Sequence, residues 1–283
     1  MSSKRDRVSP GALGELFGNP KPIIAMLHLP PLPGSPFYGG QPFEEIVGWA
    51  LRDAEVLKGV GVDGLMVENF GDRPFLKPDE IGHETTAFLA VVAREVIRST
   101  GLPVGISCLA NGAVQAIAAS VASGAKWIRV NCWANAYIAD EGLVEAAAPR
   151  ALRYMRQLGV RGLKVFADVQ VKHGSHFIVS DRPFEEQVRD VEFFGADAVV
   201  VSGARTGEET PVERVLAAKA ATALPVLIGS GLRPENVGRL LSAADGAIVG
   251  TYLREDGDPK KPVDPERAKK LMEAVRELRR RLA

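Results

Sequence analysis

Eight short apolar runs recur along this chain of 283 residues, and amphipathic segments separate them. Each run is rich in Val or Ile and is bounded by Gly or Pro, which is typical of a strand buried on both faces. The segments between them, of which residues 43–58 and 264–282 are the clearest, space their apolar side chains with a helical period. The predicted strands are residues 23–29, 64–67, 103–109, 127–132, 164–171, 198–203, 225–230 and 246–251.

Regular alternation of strands and helices predicts an α/β fold with a parallel sheet. Eight such units in roughly 260 residues match a single closed (β/α)8 TIM barrel. A doubly wound open sheet is the alternative, but no G-x-G-x-x-G motif follows the first strand and the chain has no Walker A motif. We therefore expect one barrel domain over residues 21–283, with residues 1–20 as a short N-terminal extension across the barrel floor.

Composition excludes several classes of function. The chain has 35 Lys and Arg against 35 Asp and Glu, so it lacks the positive charge of a nucleic-acid binder. No apolar stretch approaches the roughly twenty residues that span a bilayer, and the N-terminus lacks the apolar segment of a secretory signal. Cys108 and Cys132 form no metal or redox motif and are predicted to be reduced core thiols. We expect a cytoplasmic homo-oligomer that is not an integral membrane protein and binds no nucleic acid.

Polar side chains concentrate at one end of the predicted strands. Active sites of such barrels lie at the C-terminal strand ends and in the loops that follow them. Any one of these residues could be a buried polar group with ordinary partners, but their common position predicts a site. The candidates are His28, Glu68, Asn69, Ser107, Arg129, Asn131, Asp168, Gln170, Lys172, His173 and Ser202.

Glu68 and Asp168 are the candidates for acid–base catalysis. In apolar surroundings Glu68 would have a raised pKa and act as a general acid, while Asp168 beside Lys172 would stay ionised. Together with His28 or His173, the same two carboxylates could hold a divalent metal ion, although their spacing is not diagnostic. No other cofactor is predicted.

Two cations complete the predicted catalytic face. Lys172 could form a Schiff base, but its position in a loop favours a solvated lysine. Arg129 shares a strand face with Asn131 and is suited to grip a carboxylate or a phosphate with two parallel hydrogen bonds. The remaining predicted substrate-binding residues are Asn69, Gln170, His173 and Ser202.

Two glycine turns after the seventh and eighth strands predict a phosphate site. GSGLRPENV (229–237) places a proline at the start of a short helix, and GTYLR (250–254) ends the last strand. Glycines let backbone N–H groups approach an anion, and phosphate sites recur at this position of the barrel. The predicted phosphate-binding residues are Gly229, Ser230, Gly231, Gly250 and Thr251.

Several of these segments resemble the BtpA/SgcQ family. The resemblance runs in order from about residue 20 to the C-terminus, and it implies a barrel of the ribulose-phosphate-binding type. In photosynthetic organisms members are linked to the accumulation of photosystem I. The segments are LHLPPLPGSPFYGG (27–40), GVDGLMVENFGDRPF (61–75), IRVN (128–131), ADVQVKH (167–173), the SG…TG stretch (202–207), GSGLRPENV (229–237) and DGAIVGTYL (245–253).

Two loops depart from the family pattern. After the third strand the family usually shows N-x-L-x-N-D, whereas residues 107–112 read SCLANG and keep only Asn111 of the polar residues. After the fourth strand, residues 132–142 read CWANAYIADEG, with Glu141 in place of the family's glutamine. Both changes fall on the predicted active face and imply another substrate or a lost activity.

Two classes of function follow from these observations. The first is an enzyme acting on a small phosphorylated metabolite: a sugar-phosphate isomerase, an aldolase or lyase, or a glycosidic-bond enzyme on a nucleotide-like substrate. The alternative is a non-catalytic assembly or stability factor, as the photosystem link implies. Charged residues at the strand ends favour the enzyme, whereas the changed loop after the third strand favours the assembly factor.

Overall fold

The computed structural model describes residues 11–282, and its centre is a closed parallel barrel of eight strands. The predicted (β/α)8 fold is thereby confirmed. Going round the barrel, the order is β1-β10-β9-β8-β7-β4-β3-β2. The barrel strands are β1 (Ile23–His28), β2 (Gly64–Glu68), β3 (Val104–Ser107), β4 (Trp127–Val130), β7 (Lys164–Asp168), β8 (Ala198–Val201), β9 (Val226–Ile228) and β10 (Gly246–Val249).

Helices surround the barrel and follow the loops that leave its strands. The final helix shows the local signals that define it, because the Asp264 carboxylate accepts hydrogen bonds from the backbone N–H groups of Glu266 and Arg267 at 2.9 and 3.2 Å. The α-helices are α1 (Ala12–Leu16), α2 (Phe43–Val60), α3 (His83–Thr100), α4 (Ala113–Ser123), α5 (Ala148–Gln157), α6 (Phe184–Phe193), α7 (Val212–Ala221), α8 (Val237–Ala243) and α9 (Pro265–Leu282). Short 3-10 helices are Phe177–Val179, Pro234–Asn236, Thr251–Leu253 and Glu255–Gly257.

The lower half of the barrel interior is apolar and is closed by α1. The Phe17 ring meets Trp127 edge-on at 5.4 Å, and Trp127 stacks on Phe166 at 5.6 Å. A Cβ atom at Gly105 would lie 2.1 Å from Nε1 of Trp127, so only glycine leaves room for the indole. In the predicted N-terminal extension, residues 1–10 lie outside the described residues. Its boundary at residue 20 stays a prediction.

A hairpin interrupts the barrel pattern after β4. Strands β5 (Ala136–Ala139) and β6 (Gly142–Glu145) pair antiparallel, with Ala139 opposite Gly142. The expected loop after the fourth barrel strand is therefore a hairpin over residues 136–145. Along residues 11–282, no helix is both long enough and apolar enough to cross a membrane. Both cysteines are free and buried, as predicted.

Candidate functional site

The pleat of the barrel strands places a polar layer directly above the apolar one. Met26, Met66 and Trp127 face the barrel interior, and the residues two positions later on the same strands are His28, Glu68 and Arg129. Side chains two residues apart share a face of a strand. The strand register aligns His28 with Glu68, Glu68 with Ser107, and Ser107 with Arg129. Four neighbouring strands therefore present one row of polar side chains at the barrel mouth.

A cavity of about 1270 Å³ opens over this layer. Most of the predicted site residues line it, although they come from distant parts of the chain. The predicted residues in the cavity wall are His28, Glu68, Arg129, Asn131, Lys172, His173, Gly229, Ser230, Gly231, Gly250 and Thr251. Five others do not line it: Asn69, Ser107, Asp168, Gln170 and Ser202.

Asp168 is the ion-pair partner of Arg129, and its charge also acts on Lys172. Its two oxygens accept hydrogen bonds from Nε and Nη2 of Arg129 at 2.8 and 2.9 Å, and its side chain is fully buried. The Ser202 hydroxyl donates to the same carboxylate at 3.3 Å. The edge of Arg129 that was expected to grip a ligand is thus occupied, and only its Nη1 side is left for the cavity. Asp168 and Ser202 position Arg129.

Asn69 and Gln170 hold loops instead of contacting the cavity. The Asn69 side chain accepts a hydrogen bond from the Leu109 backbone N–H at 2.7 Å and donates to Asp72 at 3.0 Å. Gln170 follows the end of β7, outside the strand that was predicted to contain it, and its Oε1 accepts from Arg214 at 2.6 Å. Their predicted contact with a substrate is not supported by this placement.

His28 and Glu68 face each other at the mouth, and burial shifts the pKa of each toward its neutral form. Nδ1 of His28 donates to the Pro259 carbonyl at 2.9 Å, so the accepting nitrogen Nε2 faces Glu68, 3.8 Å from its Oε1. Burial, reinforced by the charge of Arg254, lowers the pKa of His28 to about 3. Burial also raises the pKa of Glu68, and the opposing charge of Arg129 offsets it only in part. The predicted general-acid character of Glu68 thus has a physical basis.

Lys172 is half-buried in the cavity wall, which corrects the expectation of a solvated lysine. Burial lowers its pKa to about 8, and the charge of Arg129 acts in the same direction. Near neutral pH a substantial fraction of such an amine is uncharged.

The predicted phosphate-binding turns line the part of the cavity next to His28 and Arg129, because a Cβ atom at Gly250 would lie 3.0 Å from Cε1 of His28 and one at Gly229 would lie 3.3 Å from Nη2 of Arg129. Gly231 has φ +75°, and a Cβ atom there would lie 2.3 Å from Cα of Glu209, so this position requires glycine. The Ser230 hydroxyl accepts from the Gly203 N–H at 2.9 Å and donates to the Glu208 carbonyl at 2.8 Å, so it serves the loop. Any contribution of Ser230 to anion binding must come from its backbone.

Sequence reasoning missed several cavity residues. The β5–β6 hairpin adds Tyr137, Asp140 and Glu141, and the loop after β9 adds Arg233. Arg233 stands inside the GSGLRPENV motif, so its charge could have been noted. The hairpin has a weaker signal, an apolar alternation on either side of a two-residue turn at residues 140–141.

The predicted metal site has no cluster of ligands. Among residues 11–282, no group of three or more His, Cys, Asp or Glu side chains could hold a metal ion. Asp168 is engaged with Arg129, and Glu68 faces only His28 among the predicted ligands. A divalent metal ion at Glu68 and Asp168 stays an untested prediction.

Fold and site together define a TIM-barrel protein with a polar, titratable cavity at the C-terminal ends of its strands. The chain belongs to the BtpA family, whose model matches residues 19–277. It is 43% identical over 253 residues to an uncharacterized protein of Pyrococcus furiosus, covering 89% of this chain and 94% of that relative. It is 36% identical over 267 residues to the photosystem I biogenesis protein BtpA of Synechocystis sp., covering 94% and 91%.

Solved structures support the fold alone. The N-(5'-phosphoribosyl)anthranilate isomerase of Pyrococcus furiosus matches with a TM-score of 0.55 at 16% identity, over 91% of this chain and 99% of that one. Orotidine 5'-monophosphate decarboxylase from Methanocaldococcus jannaschii gives a TM-score of 0.54 at 16% identity, over the same shares. These barrels have the same architecture as this chain at low sequence identity.

Proposed function

We propose that this protein is an enzyme that performs acid–base chemistry on a small phosphorylated metabolite. One observation carries the proposal: a buried neutral histidine, a carboxyl of raised pKa and a lysine of lowered pKa share one cavity wall. Buried ionisable groups reduce stability, and they concentrate where a reaction needs them. An assembly factor that acts through its outer surface has no use for them.

Each side chain has a chemical role in this proposal. The raised pKa of Glu68 favours its protonated form, which can donate a proton to a developing oxyanion or leaving group. Nε2 of His28 is an unprotonated acceptor on the same side of the cavity. Arg129, fixed by Asp168, offers its Nη1 side to a negatively charged group.

The wall formed by the loops after β9 and β10 is where we place the phosphate. Gly229, Gly231 and Gly250 line the cavity there, and Arg233 adds a positive charge at the rim. The barrel enzymes with matching folds include one named for a phosphoribosyl substrate and one named for a nucleoside monophosphate. Their likeness agrees with this placement but carries less weight than the cavity itself.

A pair of variants that differ by one charge tests the phosphate site. Thr251 lies half-buried in the cavity wall, so Thr251→Glu brings a carboxylate to the proposed anion and Thr251→Gln is the neutral control. Phosphate and ribose 5-phosphate should raise the melting temperature of wild type and of Thr251→Gln with saturation, but not that of Thr251→Glu. An equal rise in melting temperature for all three proteins would contradict a phosphate site on this wall.

Assembly of a larger complex is the second candidate function. The name of the Synechocystis relative points to it, and Phe177 and Phe193, each 83% exposed, offer apolar contacts outside the cavity. This function would depend on the surface and tolerate Glu68→Gln, whereas the enzyme would tolerate Phe177→Ser and lose turnover with Glu68→Gln. The cytoplasmic location and the homo-oligomer stay predictions.

A further inference from the structure

Lys172 differs from other lysines of the barrel in how its charge is balanced. Lys164 lies 2.7 Å from Glu15, and Lys219 lies 2.7 Å from Asp245, both as ordinary ion pairs. Two carboxylates have charges that reach Lys172, but Asp168 is bound to Arg129 and Glu68 faces His28. Among residues 11–282 no carboxylate forms an ion pair with Lys172, and a half-buried ammonium without a close counterion loses its proton more easily than an exposed one.

The backbone around Lys172 is held in an unusual conformation. Gln170 and His173 have φ +50° and +66°, a region that residues other than glycine seldom adopt. Hydrogen bonds fix both: the Gln170 side chain accepts from Arg214 at 2.6 Å, and the His173 N–H donates to the Ala204 carbonyl at 3.2 Å. In addition, Nε2 of His173 accepts the Thr206 N–H at 3.0 Å. Strain of this kind persists where surrounding contacts impose it, often at functional sites.

We propose that Nζ of Lys172 forms a Schiff base with a carbonyl group of the substrate. The inference rests on the proposed function for the phosphate, and it narrows the substrate class to small phosphorylated aldehydes and ketones. It stands on the position of the amine in the cavity wall, on its missing close counterion and on the contorted segment that presents it. With a pKa of about 8, about one amine in ten is in the nucleophilic form at pH 7 and about half at pH 8.

The chemistry balances with the groups in the cavity. The Nζ lone pair attacks the carbonyl carbon, a C–N bond forms, and the carbonyl oxygen takes a proton from Glu68. Nζ then returns a proton to the Glu68 carboxylate, which passes it to the hydroxyl group; the hydroxyl leaves as water, and a protonated imine remains opposite an ionised Glu68. The charge of Arg129 favours the uncharged amine before attack, and the charge of Asp168 offsets this in part. The imine withdraws electrons from the neighbouring carbon, and water releases the product by reversing the sequence.

Reductive trapping tests the proposal. Wild-type protein is incubated with dihydroxyacetone phosphate or with dihydroxyacetone, treated with sodium borohydride, digested and mapped by mass spectrometry. A covalent adduct should appear on Lys172, with the mass of the ketone less one oxygen, and it should require borohydride. Lys172→Arg should abolish that adduct, whereas Lys126→Arg, exposed at the opposite end of the barrel, should leave it unchanged.

The two ketones separate this inference from the proposed phosphate site. Preferential trapping of dihydroxyacetone phosphate on Lys172 supports both. Equal trapping of the two ketones on Lys172 supports the Schiff base and contradicts the phosphate site. A saturable rise in melting temperature with dihydroxyacetone phosphate but no Lys172 adduct overturns the Schiff base and keeps the phosphate. Labelling spread equally over Lys126 and other exposed lysines also overturns the Schiff base.

Discussion

The floor and the mouth of the barrel use the same inward-facing strand positions for opposite purposes. At the floor, Met66 and Trp127 pack with Phe17 in an apolar cluster. Two residues further along the same strands, Glu68 and Arg129 face the cavity at the mouth. Burial is nearly complete in both layers, so the chemical type of the side chain is what distinguishes them. The floor stabilises the fold, and the mouth holds groups that lower its stability.

The difference teaches how stability is distributed in this protein. Apolar burial contributes roughly 25 cal/mol per Å², whereas a buried ionisable group costs free energy unless it is paired. The ionisable groups of the mouth reduce this cost in two ways. Arg129 is paired with Asp168, and His28 and Glu68 have pKa values shifted toward their neutral forms.

The largest effect is expected at the floor. Trp127→Ala should lower the free energy of unfolding by about 4 kcal/mol, because a fully buried indole is replaced by a cavity. Denaturant titration measures the loss. Phe193→Ala, at a side chain 83% exposed, is the control and should change it by less than about 0.5 kcal/mol. Equal losses in the free energy of unfolding for the two variants would contradict a larger contribution of the floor to stability than of the surface.

The buried ion pair at the mouth should contribute to stability, as the apolar floor does. Asp168→Asn should cost about 3 kcal/mol, because Arg129 would be left as a buried cation with a weaker partner. The double variant Asp168→Asn with Arg129→Met should cost less than the sum of the two single changes, which a double-mutant cycle would show. An unchanged melting temperature for Asp168→Asn would rule out a positioning role for this pair.

A fall in pH should reduce the folding stability, because His28 is buried in its neutral form. Its pKa is about 3 in the folded protein against 6.5 when free, so the unfolded chain binds more protons between these values. The stability contribution of His28 is therefore complete above pH 6.5 and is lost as the pH falls. Wild type should lose up to about 1.4 kcal/mol per pH unit more than His28→Asn, whose amide can still donate to Pro259. Parallel stability curves between pH 6 and pH 4 would exclude a neutral buried histidine.

Glu68 should give the smallest effect, with the opposite dependence on pH. Its folded pKa is raised above 4.5, so its favourable contribution is present at low pH and is lost as the pH rises through that raised value. Glu68→Gln resembles the protonated form and should match wild type near pH 4. At pH 8 it should be more stable by about 1 kcal/mol, a usual gain when a functional group is removed. Melting temperatures at the two pH values measure the difference. A variant less stable than wild type at pH 8 would contradict a raised pKa for Glu68.

Much of the fold and part of the site were predictable from the sequence. The strands are buried on both faces, so their apolar runs are dense, and the polar residues at their ends stand out. His28, Glu68, Arg129 and Lys172 were found this way and share the cavity. The hairpin from Ala136 to Glu145 was missed, because each of its strands has only four residues and buries a single side chain, which leaves a short and weak alternation in the sequence.

The sequence by itself determined which side chains of each strand face the same way, and with that the class of the fold. Alternate positions must face the same side, so the spacing of Trp127 and Arg129 puts them in successive layers of the interior. Only the tertiary structure decided which polar groups are partners. Asp168 binds Arg129, because β4 and β7 are hydrogen-bonded neighbours in the barrel although the hairpin and α5 separate them in the chain. Lys172 is thereby left without a close counterion among residues 11–282. Partners of this kind depend on distances in space that residue spacing does not encode.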